Sequence, residues 1–195
     1  FDGNYRSFLP FMTYHQQVAV AAMNNYSLKL KTLMDSVTSR VGEHIEHCRL
    51  MLPQQGYERA IGILWQLYGN PSLVRESVLA DLKTGSAIAK NDKQGLLALS
   101  MKVSAAHEIL KSLSMRSNGH YDYEAVANSD EIISDILSRT VFWIDDYGNW
   151  YRTHEERRVF SNLRTFLELK TEDSLDPIII EALRKAKERS SRRKP

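Results

Sequence analysis

The residues best suited to chemistry lie in the segment EHIEHC, residues 43–48. His44 and His47 are three positions apart, and two glutamates and a cysteine stand beside them, so a helix here would carry several metal-ligating side chains. The spacing is not the HExxH pattern of zinc proteases, whose histidines lie four positions apart with a glutamate directly after the first. Two histidines on a polar helical face are usually solvated, and we therefore predict no metal site.

Cys48 is the only cysteine of the chain, which excludes an internal disulfide and any site built from several thiolates. It falls at a core-facing helical position, where a structural cysteine is far more common than a nucleophile. The sequence also has no apolar run that approaches the roughly 18–20 residues needed to cross a bilayer. These observations predict a cytoplasmic protein that does not bind a membrane.

The acidic pairs Asp145–Asp146 and Glu155–Glu156 could suggest acid–base catalysis. Adjacent residues on a helix diverge by about 100°, however, so neither pair converges on one substrate. The chain also lacks a GxSxG nucleophile elbow, a GxxxxGK[ST] phosphate loop and a GxGxxG dinucleotide turn. We predict that the protein is not an enzyme and has no catalytic residues, no cofactor and no small-molecule substrate. A small metal-assisted enzyme using the two histidines is the minor alternative.

The elements that carry these residues are predicted to be helices throughout. Apolar residues recur at helical spacing almost everywhere, and the alternation typical of strands occurs almost nowhere. Ser7 is the expected N-cap of the first helix, which would put Pro10 in its first turn. We predict an all-α fold of about nine helices. They cover residues 8–23, 27–37, 39–51, 57–68, 71–84, 92–115, 129–139, 141–155 and 158–171, and a last helix begins near residue 176 and runs into the tail.

The segment 57–68 is apolar around most of its girth, which is typical of a helix embedded among others. Gly69-Asn70-Pro71 ends this helix and starts the next with an N-cap and a proline at the first helical position. This turn is the predicted boundary between two lobes, residues 1–69 and 70–175, which are followed by a basic tail, residues 176–195. The apolar residues of the embedded helix are Tyr57, Ala60, Ile61, Ile63, Leu64, Trp65, Leu67 and Tyr68.

Basic residues concentrate at the end of the chain. The last twelve residues carry seven Lys or Arg against one Glu, although the whole chain has a net charge of only +2. Such a cluster neutralises phosphates whatever the base sequence, and it fits a solvated helix end or linker equally well. If the tail contacts RNA, the candidate nucleic-acid-binding residues are Arg184, Lys185, Lys187, Arg189, Arg192, Arg193 and Lys194.

The long helix 92–115 offers the candidate self-association residues. Its apolar residues from Leu96 to Leu113 are spaced 3, 4, 3, 4 and 3, which fits a coiled-coil seam or a central core helix, because the run lasts under three heptads. The aromatic segment WIDDYGNWY, residues 143–151, either fills a helical core or stacks on bases, and we favour the core. The self-association candidates are Leu99, Val103, Leu110 and Trp143, each of which also suits a core position.

The order of these motifs resembles the Gag-like region of Pao/BEL long-terminal-repeat retrotransposons. FDGNYRSFLPF, LKLKTLMDSV and GYERAIGILWQLYGNPSLV carry the likeness, and DKQGLLALSMKVSAAHEILKSL looks like the long helix that follows them. The likeness extends over residues 1–113 and is thinner over residues 114–172. The positions that match the family pattern are Phe1, Gly3, Gly56, Tyr57, Ala60, Leu64, Tyr68, Gly69 and Pro71.

The resemblance implies a Gag capsid core, in which two helical lobes self-associate into cytoplasmic virus-like particles that package element RNA. No catalytic residues carry over, because Gag is structural. The chain lacks the Cys-rich zinc knuckle of many retroelement Gags, so RNA binding would rest on the basic tail or on segments outside this chain. Because the chain opens on Phe1, we expect it to be a piece of a longer protein. The alternative is a helical nucleic-acid-binding or protein-interaction adaptor, domesticated from such an element, that acts through its tail.

Overall fold

A computed structural model describes residues 1–116, 122–153, 160–177 and 181. These residues form helices and connecting turns without any β-strand, which confirms the all-α prediction. Within the same ranges no helix is both long and apolar enough to cross a membrane.

Ten α-helices lie in the described part of the chain. They are α1 (Tyr5–Tyr14), α2 (Tyr26–Asp35), α3 (Ser39–Gly42), α4 (Pro53–Tyr68), α5 (Pro71–Lys83), α6 (Lys93–Arg116), α7 (Tyr123–Ala127), α8 (Asp130–Ser138), α9 (Ile144–Thr153) and α10 (Phe160–Leu175). A π-helical turn, His15–Ala19, follows α1, and two 3-10 turns, Glu46–Leu50 and Val141–Trp143, precede α4 and α9.

The chain divides into two compact units, unit 1 (Phe1–Ala80) and unit 2 (Asp81–Pro195). The division falls inside α5, whereas the sequence placed a lobe boundary at residues 69–70, where α4 ends and α5 begins. Val74 and Val78, in the first part of α5, are buried and belong to unit 1. The assignment of the lobes to a capsid-type division stays a prediction.

Several helix boundaries of unit 1 differ from the sequence prediction. The first helix and its π-helical turn end at Ala19 and not at residue 23, and α4 begins at Pro53 and not at residue 57. The first helix is capped by Asn4, whose side-chain oxygen accepts the N–H of Arg6 at 3.1 Å, and not by Ser7. Pro10 therefore lies in the second turn, where it removes one backbone hydrogen bond. The single helix expected over residues 39–51 is instead α3 and the first 3-10 turn.

The core of unit 1 forms where α2 packs along α4. α4 is less embedded than its composition indicated, because Leu67 is exposed and Trp65 is only half-buried. The indole of Trp65 packs edge-on against Phe8 of α1, with ring centroids 4.9 Å apart. The buried side chains of the core include Phe8, Met12, Leu30, Leu33, Val41, Ile45, Cys48, Ala60 and Leu64.

Unit 2 is organised around α6, which at about 1.5 Å per residue is roughly 36 Å long and packs along α10. Tyr147 of α9 is buried, and its ring meets Phe166 of α10 edge-on at 5.2 Å. The aromatic segment 143–151 thus supplies a core residue. The buried residues of α6 and α10 include Leu96, Leu99, Val103, Ala106, Leu110, Leu113, Phe160, Leu163, Phe166 and Leu167.

Arg139, directly after α8, is a buried cation that caps the end of α5. Its guanidinium donates hydrogen bonds to the carbonyl oxygens of Leu82 at 2.5 Å and Thr84 at 2.7 Å. Gly85 makes this approach possible, since its φ of +143° belongs to the region that favours glycine and a Cβ there would lie 2.5 Å from the Arg139 Nη1. Burial lowers the pKa of Arg139, but a guanidinium stays protonated in proteins.

Replacing Arg139 with Met is expected to destabilise unit 2 by about 1–3 kcal/mol, because the two carbonyls lose a charged donor in a buried site. Urea unfolding followed by circular dichroism measures the change. Lys83→Met is the matched control, since it removes an exposed ion pair with Glu131 and exposed pairs contribute little. Equal effects of the two substitutions would contradict a capping role for Arg139.

Candidate interaction surfaces

The residues that carry the family resemblance meet in unit 1. The ring of Phe1 lies edge-on to Tyr68 at the end of α4, with centroids 5.2 Å apart. Gly3 has a φ of +92°, and a Cβ there would lie 3.4 Å from the Tyr68 ring. The opening motif therefore packs on the last turn of α4, and its glycine provides the necessary backbone conformation.

The start of α4 rests on the backbone of the preceding 3-10 turn. A Cβ at Gly56 would lie only 2.4 Å from the carbonyl oxygen of Cys48, so a larger residue would force the two elements apart. At the other end of the helix, Asn70 caps α5 by accepting the N–H of Ser72 at 3.0 Å, and Pro71 is its first residue. The motif residues act as structural determinants of unit 1.

A buried histidine joins α1 to α4. His15, in the π-helical turn, is 1% exposed, and its Nε2 lies 3.3 Å from the hydroxyl oxygen of Tyr57. Burial lowers the pKa of His15. The pKa of Tyr57 is raised, first by burial and then by the nearby phenol of Tyr26. Both side chains are therefore neutral at pH 7, and the contact is a structural hydrogen bond.

The side chains of residues 43–48 do not converge on one point where they could hold a metal. His44 lies beside the ring of Tyr68, with centroids 6.4 Å apart, while the Nε2 of His47 is 3.8 Å from the Cys48 sulfur. Within the described ranges, no three His, Cys, Asp or Glu side chains could together hold a metal ion. Burial raises the pKa of the Cys48 thiol, although Arg59 opposes the shift. The absence of a metal site remains an expectation for the whole chain.

Three of the four predicted self-association residues belong to the core of unit 2. Leu99, Val103 and Leu110 are at most 5% exposed, so in this fold they are not available to a second copy. Their 3-4 spacing reflects the central core helix that the same pattern also fits. Trp143 is half-buried and stays a candidate. The predicted nucleic-acid residues Arg184, Lys185, Lys187, Arg189, Arg192, Arg193 and Lys194 lie outside the described residues.

Sequence reasoning missed an exposed apolar cluster that surrounds Trp143. The unit 2 patch, defined as Val141, Phe142 and Ile144, has side chains that are 60%, 57% and 41% exposed. The sequence signal for this cluster is the run VFWI, residues 141–144. Four consecutive side chains on a helical turn point in different directions, so they cannot all face one core. Exposed apolar clusters mark interaction sites.

A groove between α8 and α9 adjoins the unit 2 patch. Its volume is about 760 Å³, and its walls are largely apolar, with one acidic and one basic residue. Ile144 belongs to both the patch and the groove, so the exposed turn and the groove are continuous. The lining residues include Asp130, Ile133, Leu137, Ile144, Tyr147 and Arg152.

Comparisons with known proteins give no independent assignment. No family model, curated protein or solved structure matches this chain.

Two glycines of α4 provide a test of the motif's structural role. Gly56→Ala is expected to destabilise unit 1 by about 1–3 kcal/mol, because its Cβ would overlap the Cys48 carbonyl and overpacking costs that much. In the matched variant Gly62→Ala, the new Cβ meets no atom within 4 Å. We expect this variant to gain up to about 1 kcal/mol from helix propensity alone. Urea unfolding measures both, and stabilisation by Gly56→Ala would contradict the close approach.

His15 is expected to make the stability of unit 1 depend on pH. Because burial lowers its pKa below the ordinary 6.5 in the folded protein, the unfolded chain binds the proton more readily. The stabilisation is complete above about pH 6.5 and falls as the pH decreases below that value. Urea midpoints at about pH 7.5 and pH 5 should differ less in His15→Gln than in the unmodified chain. The exposed control His47→Gln should keep the full difference; if it behaves like His15→Gln, the assignment is wrong.

Proposed function

We propose that the chain is a structural protein of the Gag capsid type, which self-associates into oligomers or virus-like particles and packages RNA. The order of the sequence motifs supports this proposal, because it resembles the Gag-like region of Pao/BEL retrotransposons. The motif residues pack against one another within unit 1, as expected for a structural protein. In this proposal the chain has no catalytic role and acts through its contacts with copies of itself.

The single observation that carries the proposal is the unit 2 patch beside its groove. Val141 and Phe142 are more than half exposed. Unit 2 therefore lacks about 25 cal/mol of stabilisation for each Å² of their apolar surface that could have been buried. An exposed apolar turn beside a largely apolar groove places two complementary elements on one surface. Two copies related by a two-fold axis can exchange such contacts reciprocally.

The basic tail supports a second role in the same proposal, the binding of RNA. Its seven Lys or Arg residues would neutralise phosphates without reading the base sequence. The alternative function, a domesticated adaptor that binds nucleic acid through this tail, requires no self-association. Light scattering therefore separates the two functions before any RNA is added.

We expect the full chain to show a molecular mass that rises with concentration in light scattering coupled to size-exclusion chromatography. Phe142→Glu places a charge in the unit 2 patch and should weaken the association at least about tenfold, a change of roughly 1.4 kcal/mol. Met115→Glu is the matched control, since Met115 is also exposed in unit 2 but lies near the end of α6 and is not part of the patch. A strict monomer at every concentration would contradict the capsid function and favour the adaptor.

A further inference from the structure

A second exposed surface lies in unit 1, on the outer side of α2. The α2 face, defined as Ser27, Leu28, Lys31 and Asp35, is exposed and follows helical spacing. A groove of about 370 Å³ separates this helix from the segment that precedes α4. Three residues of the face line the groove, and Leu30, Met34, Arg49, Met51 and Pro53 complete it.

The segment that contributes Met51 to this groove is apolar and exposed. Leu50 is 91% exposed, and its neighbours Met51 and Leu52 are exposed as well. Leu28 adds a further exposed apolar side chain on α2. Three consecutive exposed apolar residues beside an open groove are the arrangement that marks a protein-binding surface.

The charges of the α2 face are self-complementary. Lys31 and Asp35 lie one helical turn apart, and neither makes an ion pair within the described part of the chain. The nearby Arg49 is already held by Glu46, 3.3 Å away. If a second α2 packs antiparallel against the first, the lysine of each helix faces the aspartate of the other. One lysine and one aspartate give no net charge, so the face suits a copy of itself better than a strongly acidic or basic partner.

We propose that the α2 face is an isologous docking surface for a second copy of this chain, with Lys31 of each copy paired to Asp35 of the other across a two-fold axis. The apolar side chains of Leu28 and Met51 are covered in this contact. The inference rests on the proposed function, which it deepens by assigning a second self-association surface, in unit 1.

Two separate docking surfaces allow a larger assembly than one surface does. A single isologous contact closes on itself and stops at a dimer. A chain that uses the unit 2 patch for one partner and the α2 face for another can extend through many copies. Each contact can be weak, because many of them act together in the assembly.

The test uses the full chain carrying Phe142→Glu, so that the contact at the unit 2 patch is weakened. We expect a residual monomer–dimer equilibrium in sedimentation or light scattering. Adding Lys31→Asp, or separately Asp35→Lys, should raise the dimer Kd at least about tenfold, because each creates like charges at two symmetric positions. Mixing the two variants should restore dimers, since all four charges are then complementary. Glu43→Lys, an exposed reversal elsewhere in unit 1, is the control and should leave the Kd unchanged.

The outcomes separate the inference from the function on which it rests. Restored dimers in the mixture would establish the Lys31–Asp35 contact between copies. If the unmodified chain associates but neither reversal changes the Kd of the Phe142→Glu background, or if mixing restores nothing, the α2 face is not the docking surface and the proposed function stands. If the unmodified chain is a strict monomer, the proposed function fails and the docking surface fails with it.

Discussion

The fold of unit 1 depends on how closely the first turn of α4 approaches the backbone before it. Only a glycine fits at position 56, because the carbonyl oxygen of Cys48 occupies the space that a Cβ would need. This contact holds the first turn of α4 against the 3-10 turn before it, and α4 in turn packs against α2. The opening motif then packs on Tyr68 at the other end of the same helix. The conformation of unit 1 therefore depends on backbone proximity as well as on apolar burial.

Unit 2 uses a similar device with a charged partner. Gly85 lets the guanidinium of Arg139 reach the carbonyls at the end of α5. Helix ends leave such carbonyls without partners inside the helix, and a buried cation satisfies two of them at once. The Ile88 N–H donates to the Arg139 carbonyl at 2.8 Å, so the backbone on both sides of the glycine is held. In each unit, a glycine permits a close approach for which a Cβ would leave no room.

Hydrophobic periodicity predicted the helical class and the long helices well, because burial of one helical face leaves a direct trace in the sequence. α6 differs from its predicted bounds by one residue at each end. Periodicity failed over residues 39–51, where α3 and a 3-10 turn replace one helix. Val41, Ile45 and Cys48 are buried in either arrangement, and the contact of Gly56 with this turn is a backbone approach that leaves no trace in apolar spacing. Periodicity also identified Leu99 and Val103 as apolar helix positions without indicating what covers them.

Under the proposed function, the exposed surfaces follow from a competition between the stability of each unit and the association of copies. Burying Leu50 or Phe142 inside its own unit would remove apolar area from water and stabilise the monomer. The same burial would leave no apolar area to drive association between copies, since the hydrophobic effect acts only on surface still in contact with water. A capsid-type protein must therefore keep part of its apolar surface outside its cores. Placing that surface on the turn before α9 and on the segment before α4 leaves the residues packed inside α6 and α4 undisturbed, so exposure need not weaken either core.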